Sequence, residues 1–457
     1  MKDYKSIYFV GAGGIGMAAL ERYFLAQGFR VAGYDRTRTE LTDALASEGV
    51  AICYDEAASL IPDYCKNTAD TLVVYTPAVP ASHEGLCFFR NGGFTIMKRA
   101  ELLGLITRSS KGLCFAGTHG KTTTSSMAAH ILHCSAIGCN AFLGGILRNY
   151  GSNLLLSATS PYSVIEADEF DRSFHHLSPH IAVITATDPD HLDIYGTEEA
   201  YLESFAHFTE LIQPGGTLLL HTGLKVQPRV PQDVRTLTYS RNEGDYHAAH
   251  VRKGNGEIVF DFVTPDGVVA DVKLGVPVDI NIENAVAAMA VCHMVGVPGE
   301  VMRDAIGSFL GAKRRFEFWL KEPGADGRVI IDDYAHHPDE LRASISSVKD
   351  LYPHRKLTVV FQPHLYSRTR DFAPQFAEAL SLADEVILLN IYPARELPIP
   401  GVTSEIILRD IKCPVKEICD KSLLVNRIKN RNFEVLLTAG AGDVCNFLPA
   451  IVDAVAR

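Results

Sequence analysis

The segment Ala116-Gly117-Thr118-His119-Gly120-Lys121-Thr122-Thr123 joins the apolar run Gly112–Ala116 to a stretch of helical length. A strand, a glycine-bearing loop and a helix in that order confine this part of the chain to a parallel α/β sheet, with the loop at the carboxyl edge. The loop ends in Gly-Lys-Thr but is shorter than the common GxxxxGK(S/T) pattern, because Phe115 stands where the first glycine belongs. Loop amides and the Lys121 ammonium suit phosphate oxygens, and the Thr122 hydroxyl suits a Mg2+ ion held by them. Gly117, Thr118, His119, Gly120, Lys121, Thr122 and Thr123 are therefore the expected phosphate-binding residues.

Two acidic strand ends follow in the same block. Val164-Ile165-Glu166 runs into Ala167-Asp168-Glu169, and Ile184-Thr185 leads to Asp188-Pro189-Asp190-His191. In a parallel sheet such ends gather at the edge where the Lys121 loop opens. Glu166 is the expected ligand of a nucleotide-bound Mg2+. His191 is the expected ligand of a second metal that bridges the γ-phosphate to an attacking oxygen.

Apolar strand-length runs alternate with amphipathic stretches, and the alternation restarts three times. The expected class is α/β in three domains, 1–108, 109–312 and 313–457, the second carrying a small antiparallel part between Tyr246 and Val278. That division agrees with a chain of 457 residues at roughly 100–200 residues per domain. The first block opens on Ile7–Val10 and turns at Gly11-Ala12-Gly13-Gly14-Ile15-Gly16, with Asp35 closing the next strand. The glycines let loop amides and a helix N-terminus approach a diphosphate. Taken alone the loop reads as an NAD site, but its chemistry demands only a diphosphate, and a nucleotide sugar has one too.

A third cluster lies late in the chain. Asp332-Asp333-Tyr334-Ala335-His336-His337-Pro338 and Gln362-Pro363-His364-Leu365-Tyr366-Ser367-Arg368 each follow a strand. Arg368 suits a carboxylate, and His336 and His364 suit the orientation or deprotonation of an amine.

Composition excludes other classes. The net charge is −11, and no Lys/Arg cluster offers a surface for nucleic acid or an anionic membrane. The ten cysteines form no CxxC pair and no zinc spacing, so free, mostly buried thiols are expected. The chain shows neither a signal peptide nor a transmembrane run, and a cytoplasmic location is expected.

Together these motifs resemble the Mur ligases, the ATP-dependent amide ligases of peptidoglycan precursor synthesis. The resemblance covers essentially the whole chain. It adds Asn281 and Asn284 before an Ala-rich helix, Arg314-Arg315-Phe316, and Asp190-His191-Leu192-Asp193 to the motifs above. It implies a Rossmann-like N-terminal domain for the UDP part, a central P-loop ATPase domain and a Rossmann-like C-terminal domain that closes over the site. ATP and Mg2+ (or Mn2+) are the implied cofactors, held by the Lys121 loop, Glu166, His191, Asn281, Asn284, Arg315 and Asp332. Gly11, Ala12, Gly13, Gly14, Ile15, Gly16 and Asp35 would hold the UDP-sugar. Tyr334, His336, His364 and Arg368 would surround the amino acid, and Lys121, Glu166, His191, His336 and Arg368 would carry catalysis.

The nearest pattern within the family is that of the member adding L-alanine to UDP-N-acetylmuramate, as a monomer or homodimer. A ligase that recycles preformed peptides shares many of the motifs. No lysine occurs between Lys121 and Lys225, so the carbamylated lysine of several relatives is absent, and Leu365 stands where some members carry arginine. An NAD-dependent oxidoreductase and a P-loop switch are the rival readings. The first leaves Lys121-Thr122 unexplained, and the second predicts nucleotide turnover independent of any amino acid.

Overall fold

The computed structural model describes residues 4–189, 192–254, 256–324, 326–394 and 396–455. The chain divides into two compact units. The first comprises Met1–Ala249, Asp261–Val272 and Glu283–Ser308, and the second His250–Phe260, Lys273–Ile282 and Phe309–Arg457.

In the first unit, Ser6–Val10 is buried at every position, as a strand covered on both faces must be. It pairs in parallel with Arg30–Tyr34 on one side and Thr71–Tyr75 on the other. Ala51–Cys53 and Thr95–Lys98 complete a parallel sheet of five strands. The strand order reverses beside Val10, so the Gly11 loop opens at a topological switch point.

A second sheet of seven strands runs Arg235–Tyr239, Thr217–His221, Pro179–Ile184, Lys111–Ala116, Tyr162–Glu166, Asn140–Leu147, Ser152–Leu155. All its pairs are parallel except the last. Lys111–Ala116 lies at its centre, buried from Gly112 onward. That position carries the Lys121 loop to the sheet edge between the ends of Tyr162–Glu166 and Pro179–Ile184. Ile7, Phe9, Leu20, Phe24, Phe142, Phe174 and Phe205 belong to the core of this unit.

The second unit holds six strands ordered Glu317–Lys321, Val329–Asp333, Val435–Ala439, Leu357–Phe361, Glu385–Leu389, Val415–Cys419. Only the first pair is antiparallel. Ile330, Val360, Ile387, Leu436 and Ile451 pack into its core. A separate three-stranded sheet, His247–Gly254, Glu257–Thr264 and Gly267–Lys273, falls within the expected antiparallel stretch.

The boundary expected at 108 falls in the last turn of the helix Arg99–Ser109. That expected at 312 falls just before Arg314 and Phe316, both at positive φ (60° and 47°). All ten cysteines are free, and six of them are buried, but Cys134 is exposed.

Candidate active site

The Lys121 loop is built by packing against its own sheet. Gly117 has φ +138°, and a Cβ there would collide with the Thr185 hydroxyl and lie 2.7 Å from the Ala186 nitrogen. Only glycine permits both that backbone and that approach. Thr118 is an anchor: its amide donates to Ala186 O (3.0 Å) and its hydroxyl to Asp188 O (2.7 Å). Thr185 in turn donates to the His119 carbonyl. Gly120 caps the helix Lys121–Cys134 at φ 83° and supplies no side-chain cap, leaving a helix N-terminus suited to an anion. Asn284 closes the back of the loop, accepting from the Thr124 hydroxyl at 3.1 Å.

Lys121 is the expected phosphate cation, and in the structure it has partners within its own unit. Its ammonium curls back to Gly117 O (2.6 Å) and pairs with Glu169 Oε1 at 2.8 Å. Glu169 is 2% exposed, and its Oε2 has no partner among the described residues. Burial pushes its carboxyl up, while Lys121 works the other way. Just beyond it the chain turns through Asp171 and Arg172, both left-handed (φ 51° and 54°). This is backbone strain of the kind that accumulates at functional sites.

Glu166 sits at its strand end as expected. Oε1 accepts from the Thr122 hydroxyl at 2.9 Å and Oε2 from the Gly144 amide at 3.0 Å. Burial raises its carboxyl, opposed by the Thr122 hydrogen bond and the Lys121 charge. Among the described residues no group of three or more His, Cys, Asp or Glu side chains could hold a metal. Thr122 and Glu166 nevertheless supply two adjacent hard oxygens. Mg2+ typically takes one or two protein oxygens and fills its remaining positions with water and phosphate, so this donor set fits it. His191 and Asp190 lie outside the described residues.

The Gly11 loop is braced rather than empty. The amides of Gly11 and Ala12 both donate to Tyr34 O at 2.8 Å. Asp35 accepts from the Gly13 amide (2.7 Å) and from the Thr37 amide (3.0 Å), so both its oxygens are engaged in shaping the loop. Gly14, Ile15 and Gly16 open the helix Ile15–Ala26, which has no side-chain cap. They line a cavity of about 340 Å³ that also reaches Thr76, Arg99, Gly144, Glu166 and Asp168. Within one unit, the glycine loop and the Glu166 strand end thus share one space. Arg99 is the cation there: a Cβ at Gly16 would lie 3.2 Å from its guanidinium carbon, and it faces Asp168 at 3.7 Å.

In the second unit, Arg314 and Arg315 both lie over the Tyr334 ring, at 4.9 and 5.7 Å from its centroid. Arg314 is further tied to the carbonyls of Gly440 and Gly442. Asp332 is expected at the nucleotide, yet it is fully buried. It accepts from Thr438 and pairs with Arg314 at 3.5 Å, and burial pushes it up to about 6. That is an interior position, which serves the loop through Arg314. Asn281 is likewise buried, donating to Val276 O at 3.1 Å.

Three side chains of the third cluster lie near one another. The His336 and His364 rings lie 6.2 Å apart, and Tyr334 lies 5.1 Å from His336. Burial lowers both histidines, and Arg368 lowers them further. Arg368 itself enters no ion pair among the described residues. Asp371, its nearest acid in sequence, pairs with Arg370 at 2.7 Å.

Family models match in three consecutive parts: the Mur ligase family catalytic domain at residues 6–111, the Mur ligase middle domain at 115–292, and the Mur ligase glutamate ligase domain at 314–449. The UDP-N-acetylmuramate–L-alanine ligase of Phocaeicola vulgatus is 58% identical over 98% of this chain and 97% of its own length. The chain belongs to the Mur ligase family. The ligase of the same name from Parabacteroides distasonis is 58% identical over 96% of the chain and 95% of its own. The crystal structure of the UDP-N-acetylmuramate-alanine ligase of Thermotoga maritima superposes with a TM-score of 0.79 at 28% identity, covering 98% of each chain. A murein peptide ligase of Psychrobacter arcticus shares the fold at a TM-score of 0.63 and 20% identity, covering 99% of each chain.

Two residues of this Mur ligase escaped the motifs. Arg99 begins a helix in an unremarkable Lys-Arg-Ala-Glu run, and nothing local marks it. Glu169 closes the run Glu166-Ala167-Asp168-Glu169 with no role of its own assigned, and only the fold shows that it is buried against Lys121.

Proposed function

We propose that the chain uses ATP to join L-alanine to the lactyl carboxylate of UDP-N-acetylmuramate through an acyl phosphate. The observation that carries this is the shared cavity. It places a loop suited to a nucleotide-sugar diphosphate beside the Thr122–Glu166 pair that suits Mg2+ and phosphate. The names of the full-length relatives agree with it.

In this reading the helix N-termini at Gly14 and Gly120 receive the UDP diphosphate and the ATP phosphates, and Arg99 adds positive charge between them. Lys121 leaves Glu169 for the phosphates, where its ammonium neutralises charge that builds as the carboxylate attacks the γ-phosphorus. Thr122 and Glu166 would hold Mg2+, which supplies further charge neutralisation when bound. His191 is kept as a second metal ligand by the motif alone. Arg315 is assigned to the nucleotide.

The second unit is assigned the amino acid. Arg368 holds the alanine carboxylate through a charge-assisted pair. His336, neutral because burial lowers it, can accept a proton from the alanine ammonium. The free amine then attacks the acyl carbonyl, the tetrahedral intermediate expels phosphate, and the amide forms. Domain boundaries near 108 and 312 are the hinges we assign to closure. This reading places the enzyme in the cytoplasm, where ATP is supplied.

Asp35 braces the loop, each of its oxygens accepting from one amide. The test is phosphate release with ATP, UDP-N-acetylmuramate and each of the twenty amino acids in turn. Release that depends on L-alanine above all others is expected. Release independent of any amino acid, or dependent only on a preformed peptide, overturns the assignment.

A further inference from the structure

The helix that carries Arg368, Tyr366–Leu380, begins without a cap of its own. Its N-cap is Leu365, at φ 68° and ψ 136°, and an apolar side chain offers nothing to the first-turn amides. Positive φ in a non-glycine residue costs about 1–2 kcal/mol, so another contact must hold this turn. That contact comes from the segment after Glu385–Leu389. Tyr392 receives the Leu365 amide on its carbonyl at 3.0 Å and donates its own amide to Pro363 O at 2.8 Å. Its ring stacks on His364 at 5.8 Å and 13°. Four residues on, Glu396 accepts from the Ser367 amide at 3.0 Å and from the Ser367 hydroxyl. These bonds and one from the Tyr366 amide hold its carboxyl below the usual range.

A carboxylate at a helix N-terminus satisfies orphan amides and fills a natural anion site. Here it binds Ser367, the residue next to Arg368 in the chain, yet Arg368 makes no ion pair with it among the described residues. The first-turn anion position is therefore taken, while the Arg368 guanidinium stays available to a second carboxylate.

We propose that Glu396 is a positioning residue for the amino-acid substrate. By closing the first turn through Ser367, it fixes the direction of Arg368 and leaves Arg368 as the place where the substrate carboxylate binds. Tyr392 does the same for His364 by stacking. This rests on the alanine-ligase reading above and adds a residue that no local motif marks.

The test is steady-state kinetics of the full chain with Glu396→Ala, Glu396→Gln and Ser367→Ala, varying each substrate in turn. Because sub-ångström displacement of a reacting group already costs rate, Glu396→Ala should raise the KM for L-alanine about tenfold. The KM values for ATP and the UDP-sugar should stay within about twofold, a split that a general loss of fold cannot produce. Glu396→Gln keeps an oxygen for the Ser367 amide and should recover most of the loss. Ser367→Ala, which removes one hydrogen bond only, should show a smaller rise in the same KM. A melting temperature that falls while the alanine KM is unchanged, or KM values that rise together for all three substrates, overturns the proposal. If the wild-type chain uses another acceptor amine, the function assigned above fails. The same split measured on that acceptor still decides the role of Glu396.

Discussion

Replacing Lys121 by alanine should have two separable effects. The first is kinetic: losing a cation aimed at developing negative charge typically costs about 10²–10³ in rate. The second is on stability. Lys121 and Glu169 lie 2.8 Å apart, with side chains only 14% and 2% exposed. Truncating one partner of such a buried pair costs roughly 3–5 kcal/mol if the other stays charged.

Glu169 has an escape, since it can take up a proton. Keeping a carboxyl of ordinary pKa about 4.3 protonated costs about 1.36 kcal/mol per pH unit above that value. The cost is thus about 4 kcal/mol at pH 7.5 and about 2 kcal/mol at pH 6. Burial already pushes Glu169 up in the native chain, and removal of Lys121 pushes it higher. A raised acid favours the proton-bound folded state. The penalty is therefore absent below the unfolded pKa and grows as pH rises from there toward the folded one. Lys121→Ala should lose up to about 4 kcal/mol at pH 7.5, and no more than about 2 kcal/mol at pH 6. The double variant Lys121→Ala/Glu169→Gln should regain most of the stability and none of the activity. Urea denaturation at the two pH values and a phosphate-release assay measure both effects. Lys121→Ala with native stability at pH 7.5 and activity within tenfold of wild type would refute the reasoning.

Other expectations follow from the same geometry. Glu166→Ala should raise the Mg2+ concentration needed for half-maximal rate, and an unchanged titration would make Glu166 a mere strand-end acid. Arg99→Ala should raise the KM for UDP-N-acetylmuramate by about tenfold or more, because one charge-assisted contact is worth about 1.5–3 kcal/mol, with the alanine KM little changed. Equal effects on all substrates would place Arg99 in the scaffold only. Arg368→Lys keeps the charge but loses the planar fork. It should raise the alanine KM by about tenfold or more and leave the ATP KM within a few-fold.

What was legible in the sequence was local. A strand whose two faces are both covered must be nearly all apolar, so Ser6–Val10, Tyr162–Glu166 and Glu385–Leu389 stand out in the chain. Ala51–Cys53, Ser152–Leu155 and Val415–Cys419 do not, because they lie at sheet edges and are either very short or of mixed polarity. Asn140–Leu147 is interrupted by Gly144-Gly145, and Gly144 is there because Glu166 lies against it. The glycine loops announced their anion sites, since each places glycine where the backbone requires it.

Pairings across long sequence separations stayed hidden. Nothing beside Lys121 says that Glu169 receives it, nothing beside Asp35 says that it braces Gly13, and nothing near Ser367 points to Glu396. The burial of Asp332 was hidden in the same way. An Asp-Asp pair at a strand end looks exposed, but the parallel neighbour Val435–Ala439 covers it, and Thr438 satisfies it.

The most direct test of the account uses UDP-N-acetylmuramate carrying oxygen-18 in its lactyl carboxylate, with ATP, Mg2+ and L-alanine. Mass spectrometry of both products reads the path of that oxygen. If the carboxylate attacks ATP and alanine then attacks the acyl phosphate, the UDP-sugar gains one alanine in amide linkage. The released phosphate then carries one oxygen-18. Unlabelled phosphate, or labelled substrate recovered without an alanine adduct while ATP is consumed, would contradict it.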